Sequence, residues 1–184
     1  MTKKHDLTNK TELRRKDREI KDDAWIINFL AKAPYGYVAT VMDGQPFITM
    51  AIFVYDKATH AIYLHTSKHG RLAANVRQDD NACFSFGTIG RMLPAEYARE
   101  FSNEYESVVA FGKIEILEDM VFARDKMHQM IDKYFSHLKR DTDYRAITKT
   151  EILEIATYKI SIDSWSAKKK EEAQDFPGAF FFNP

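Results

Sequence analysis

The 184-residue chain has one cysteine, five prolines and seven glycines, no excess charge of either sign, and no long apolar run. A lone cysteine cannot form an internal disulfide, and Cys83 lies in the strand-like run Ala82-Cys83-Phe84-Ser85-Phe86, where a buried inert thiol in a reducing compartment is expected. The 27 basic and 27 acidic side chains cancel. No global field draws such a protein to nucleic acid or an anionic membrane, so neither is expected as a partner, and any phosphate must be met by local charge. The longest apolar candidates are interrupted early by Asp43, Asp56 and Lys113, well short of the ~20 residues a spanning helix needs. The first twenty residues carry Lys3, Lys4, Arg14, Arg15, Lys16 and Arg18 among acids and lack the apolar core and cleavage site of a secretory signal. A soluble, cytoplasmic protein is the expectation. No Gly-rich Rossmann fingerprint or Walker loop occurs, so a nucleotide would have to be held by another device.

The length suits one domain, able to bury roughly 70% of its unfolded surface. A charged arm over 1–20, a domain over 21–166 and a tail over 167–184 are expected. Asp22 and Asp23 stand where helix caps would, and Ile26, Phe29, Leu30 and Ala33 recur at helical spacing until Pro34 and Gly36. Two β-rich runs, 37–42 and 45–55, flank Asp43-Gly44, a type I′ hairpin dipeptide. A third strand over 61–66 leads into a short helix ending near Arg77. A strand over 82–88, a long polar connection over 90–106 and a strand over 107–117 follow. Phe122, Met127, Met130, Ile131, Tyr134 and Leu138 mark the core stripe of a helix over about 119–138. Tyr158, Ile160 and Ile162 alternate with polar residues in a last strand. This order predicts an α+β fold with a small antiparallel barrel and flanking helices, not a doubly wound sheet.

Chemistry concentrates at the strand end Leu64-His65-Thr66-Ser67-Lys68-His69-Gly70-Arg71, where hydroxyls, cations and imidazoles precede a helix N-terminus. Hydroxyls and backbone N–H groups can donate to phosphate oxygens, Arg71 adds a forked charge-assisted pair, and the helix dipole favours an anion. A solvated turn with an ordinary serine cap fits the same residues. His65 and His69 lie four apart, but a strand-to-loop junction does not put them on one face and no acidic or cysteine partner is near, so no metal site is expected. His65 alone is either a hydrogen-bonded structural histidine or a group that positions a substrate or moves a proton. Ser85 and Ser107 lack an elbow motif and a base, which sets serine catalysis aside.

Three stretches carry a family resemblance. Leu13-Arg14-Arg15-Lys16-Asp17-Arg18-Glu19-Ile20 resembles the start of the nitroimidazole-resistance (Nim) family, Tyr63 to Arg71 its flavin-phosphate motif, and Tyr105 to Lys113 its later strand. In order and spacing they cover about residues 12–165, which is similar to the wider pyridoxamine 5'-phosphate oxidase-like flavoproteins. The resemblance implies a six-stranded antiparallel split β-barrel that forms a homodimer, with FMN in two clefts lined by both chains. It implies that Met50, Ala51, Ile52 and Phe53 lie along the flavin ring, chiefly through backbone groups, that His65, Thr66 and Ser67 continue that edge, and that Lys68, Gly70 and Arg71 meet the phosphate. Ser107 of the second copy would face the flavin, and His65 would be the catalytic residue. Leu72 stands where the family usually has a second basic residue, and Lys68 is expected to compensate. The Arg-rich carboxy-terminal segment of true pyridoxamine-phosphate oxidases is absent, which disfavours vitamin B6 oxidation. The implied activity is FMN-dependent reduction of a small planar acceptor such as a nitroaromatic, with a stacking wall of aromatics such as Phe53. A flavin-binding or ligand-sensing protein without turnover, and a haem-handling relative of the same barrel, remain as alternatives.

Overall fold

Asp43 and Gly44 take φ values of 54° and 75°, the paired positive values of a type I′ turn, and so join strand β2 (Gly36–Met42) to β3 (Gln45–Ala51) in register from Met42↔Gln45 to Gly36↔Ala51. A computed structural model describes residues 9–183 of the chain. Residues 1–8 of the expected arm lie outside the described residues. Helix α1 (Asp23–Lys32) is capped by Asp22, whose carboxylate accepts from the Ala24 N–H at 2.8 Å. It buries Ile26 and Leu30, then stops at Ala33, whose extended backbone is what the following Pro34 requires.

The predicted run 45–55 is one stretch of chain but two strands. β3 pairs with β2, and β4 (Phe53–Asp56) pairs with β5 (Ala61–Ser67), with Ile52 in neither ladder. The sheet runs β3-β2-β6-β7-β8-β5-β4, with β6 (Asn81–Leu93), β7 (Ser102–Ile116) and β8 (Ile155–Lys170) in its middle, antiparallel throughout. Its two ends, β3 and β4, are consecutive in the chain. One strand run broken at Ile52 therefore closes six long strands into a barrel, split where the run breaks. Two short strands are added at the edges: β1 (Glu19–Ile20) on β8 and β9 (Phe180–Phe181) on β6.

Inward alternation fills the barrel with Val38, Phe53, Ile62, Leu64, Phe84, Val108, Ile160 and Tyr158, and α1 and α2 (Arg71–Gln78) add Leu30 and Leu72. Each such aliphatic or aromatic side chain contributes about 1.5–3 kcal/mol by leaving water. A second cluster lies outside, where Met127 and Met130 of α3 (Met120–Tyr134) and Ile152 of α4 (Lys149–Glu154) pack on Val54 and Tyr63. Between Phe111 and Gly112 the β7–β8 register slips by Asp163, and a Cβ on Gly112 would run into the Ser161 carbonyl, so only glycine fits this bulge. Cys83 is half-buried, and burial raises its thiol pKa.

Several expected boundaries move. The polar connection over 90–106 is mostly strand: β6 continues through an irregularity between Ile89 and Met92, and only 94–101 joins it to β7. Arg91 makes this possible by pairing with Glu104 across the strands at 2.6 Å, while its other donors reach the carbonyls of Glu172, Ala173 and Gln174. The sheet outruns the expected span at both ends, since β8 reaches Lys170 and β1 pairs with Lys168 and Ala167. α3 ends at Tyr134, so Leu138 lies beyond the helix. No helix among the described residues is long and apolar enough to cross a membrane.

Candidate functional site

The break at Ile52 makes a notch. β4 pairs with β5 only as far as Phe53↔Leu64, while His65, Thr66 and Ser67 keep their β8 partners Thr157, Ala156 and Ile155. The β5 edge is therefore bare beyond Leu64, and β3 approaches it across the gap. β3 has no second strand partner among the described residues, so backbone donors and acceptors of Met50, Ala51 and Ile52 border one side of the notch and His65 to Ser67 the other.

Met50 and Ile52 turn their side chains outward and are exposed, and Ala51 is half-buried. Phe53 corrects the expectation of a stacking wall. Its ring is fully buried in the barrel, 4.7 Å from the Phe84 ring, because position 53 falls on the inward side of the strand. Only its backbone borders the site. Thr49, two inward positions before Phe53 and on β3, has a buried hydroxyl with no partner among the described residues.

The His65 Nδ1 is also buried and unpartnered. Burial lowers the pKa of its imidazole below the ordinary value of 6.5, so it is neutral at pH 7, with one N–H donor and one acceptor. The Thr66 hydroxyl lies 3.3 Å from both the Tyr158 hydroxyl and the Ser67 carbonyl, and donates to one of them at a time. The Ser67 hydroxyl accepts from the His69 N–H at 3.2 Å and folds the loop back on itself. That loop, Lys68 to Gly70, opens α2. Gly70 stands at the N-cap, offers no side chain to cap the first N–H groups, and has open space where a Cβ would be. Uncapped N–H groups and a helix dipole thus face a clear approach, flanked by the Lys68 ammonium and the exposed Arg71. Leu72, in place of the usual basic residue, is buried in the core. Arg77 instead returns a guanidinium to this loop, donating to the Lys68 carbonyl at 3.4 Å.

Ser107 is not brought to this notch. It lies on the outer side of β7 opposite Lys168, whereas His65 is opposite Thr157. Those two β8 partners are separated by up to roughly 35 Å of strand at ~3.3 Å per residue. Within one chain Ser107 and His65 belong to different places.

Four residues at the site were not expected there from the sequence. Asn75 and Thr40 are buried and lie behind Arg71. Lys133 and Tyr134, at the end of α3, hold the Phe53 backbone. A polar residue on the apolar side of a short helix was the available signal for Asn75; for Tyr134, spacing indicated core and nothing more. The residues present fit a phosphorylated planar ligand: the strand edge offers backbone groups, and the basic helix start suits an anion.

The family model described as pyridoxamine 5'-phosphate oxidase matches residues 22–169. No curated protein sequence matches significantly. Among solved structures, the flavocytochrome Anf3 of Azotobacter vinelandii aligns with a TM-score of 0.75 at 21% identity, over 94% of this chain and 84% of that one. The FAD and haem binding protein of Mycobacterium smegmatis gives 0.72 at 22% identity, over 84% and 74%. A candidate 5-nitroimidazole antibiotic resistance protein of Bacteroides thetaiotaomicron gives 0.67 at 22%, over 82% and 86%. At these identities the likeness establishes a shared split-barrel fold. The matched residues run from the cap of α1 to the penultimate residue of β8 and take in every strand of the barrel, and the chain therefore belongs to the pyridoxamine 5'-phosphate oxidase family.

Proposed function

We propose that this protein is a flavin-dependent oxidoreductase that holds FMN in the notch at Ile52 and reduces a small planar acceptor, a nitroaromatic being the model substrate. The observation that carries the reading is the notch itself, an unpaired strand edge facing His65 to Ser67 with a basic, uncapped helix start at its end. In this reading the ring lies along the backbone of Met50 to Phe53, and the phosphate meets Lys68, the N–H groups after Gly70, and Arg71. The flavin supplies the electron chemistry. The chain supplies orientation, and neutral His65 anchors the acceptor through its ring N–H.

The active unit in this reading is a homodimer. Tyr37, Val41, Ile48, Met50 and Ile52 are all exposed on one outer sheet surface, with Tyr37 and Met50 as cross-strand partners, an apolar area that suits burial against a second copy. Ser107 can reach a notch only from such a copy. Absorbance spectra of the purified protein with and without added FMN, taken with its solution mass, test both points. Flavin bands on a dimer, and roughly 10- to 100-fold weaker FMN binding in Arg71→Ala, are the expected results. A colourless monomer that ignores FMN overturns the reading, and a Soret band without flavin bands transfers the site to haem. Anaerobic reduction of a nitroaromatic over many turnovers, with a nicotinamide hydride donor re-reducing the flavin, then separates an enzyme from a flavin store.

A further inference from the structure

Asn75 has no exposed surface and sits on the side of α2 that carries Leu72 and Ala73 into the core. A buried amide costs free energy unless both ends are bonded, and an aliphatic side chain would fill the place without that demand. Both ends are bonded. Its Nδ2 donates to Oγ1 of Thr40 at 2.9 Å, and its Oδ1 accepts from Nε of Arg71 at 3.1 Å. The same guanidinium lies over the Phe47 ring, with Cζ 5.9 Å from the centroid. Phe47 is the cross-strand partner of Thr40. A single residue pair of the β2–β3 hairpin thus fixes Arg71 twice, at its Nε edge through Asn75 and at its planar surface through Phe47. The two Nη groups have no bond among the described residues and are left for a planar or tetrahedral oxyanion.

We infer that Asn75 is a positioning residue for the phosphate end of the flavin, holding Arg71 in its binding orientation before the ligand arrives. The inference rests on the reading of 65–71 as the flavin-phosphate site. A guanidinium already immobilised spares the ligand the entropy of ordering a long side chain. The arrangement also fixes a spacing: the hairpin that holds Arg71 at Thr40 and Phe47 ends in Met50 and Ala51 beside the ring, so both ends of the flavin are gauged by one piece of sheet.

The test compares FMN with riboflavin, which has the same ring and no phosphate, by titration of the full-length wild type, Asn75→Leu, Arg71→Ala and the double variant. Asn75→Leu is expected to weaken FMN roughly three- to tenfold, to leave riboflavin unchanged, and to add nothing once Arg71 is already alanine. Unchanged FMN affinity in Asn75→Leu overturns the inference. So does equal weakening of both ligands, which is the signature of structural damage. If Asn75→Leu does not fold, the isosteric Thr40→Val, which removes the acceptor of Nδ2, carries the same test with the same pattern expected. A wild type that binds FMN no better than riboflavin overturns the phosphate reading itself. Loss of FMN in Arg71→Ala with none in the Asn75 or Thr40 variants overturns the positioning role alone.

Discussion

The Tyr134 hydroxyl holds both backbone groups of Phe53, accepting its N–H at 3.1 Å and donating to its C=O at 3.1 Å. Phe53 is the first residue of β4, where the barrel-closing run has just left β2, and its outer edge has no strand to pair with. The end of α3 stands in for that strand. Tyr134→Phe takes the partner from the buried Phe53 N–H and leaves the C=O to Lys133 alone, and a loss of about 1–3 kcal/mol is expected in urea unfolding. A change below about 0.5 kcal/mol would mean that water satisfies Phe53 equally well.

Lys133 reaches the same carbonyl at 3.0 Å and lies 4.1 Å over the Phe53 ring. Burial pulls its pKa from 10.5 down to about 8. Between those values the unfolded chain holds a proton that the folded chain has released, so this residue makes stability rise as pH climbs from about 8 toward 10.5. Unfolding of wild type and Lys133→Met at both ends of that window should show the difference moving in favour of wild type at the alkaline end. An unchanged difference would place the ammonium in water.

Lys126 is buried with its Nζ 2.6 Å from Asp56, between the rings of Tyr63 and Phe122 at 4.9 and 4.8 Å. Asp56→Ala leaves that cation with only the longer contacts to Gln129 at 3.4 Å and Asp125 at 3.9 Å, and should cost up to about 3–5 kcal/mol. Adding Lys126→Met should recover much of the loss, because an apolar side chain suits the ring pair. A double variant as unstable as the single one would refute this account.

The depressed pKa of His65 gives its role a direction. If the neutral imidazole anchors the acceptor, turnover climbs as pH rises through a midpoint below 6.5 and is flat above it. His65→Ala should bind flavin as before, turn over at least about tenfold more slowly, and lack that rise. A rate that falls through the same midpoint would assign His65 as the proton donor instead.

The hairpin at Asp43-Gly44, the helix cap at Asp22 and the strand-to-helix junction at 65–71 were legible because each rests on local chemistry: positive φ, a side-chain acceptor, a basic run before a helix. The notch was not. Residues 45–55 read as one strand, and only the closure of the barrel forces them to change partners at Ile52. The polar run over 90–106 suggested a connection, whereas β7 and the Arg91–Glu104 pair keep the ladder going. The missed helix α4 did carry a signal, the capping box of Thr148 and Glu151. Asn75 carried a signal too, a polar residue on the apolar side of a short helix, whereas the inward turn of Phe53 depends on a register that sequence alone leaves open.

Before β8 exists, the barrel is two pieces of sheet with no strand pairing between them, β3-β2-β6-β7 and β5-β4, joined by the chain through Ile52 and through α2. β8 begins at Ile155 and alone bridges β7 to β5. A nascent chain on the ribosome therefore has both borders of the notch and no notch, and closure waits on a pairing between segments far apart in sequence, the slow kind. The two borders of the notch are therefore brought to their final spacing only when the last long strand of the chain is in place.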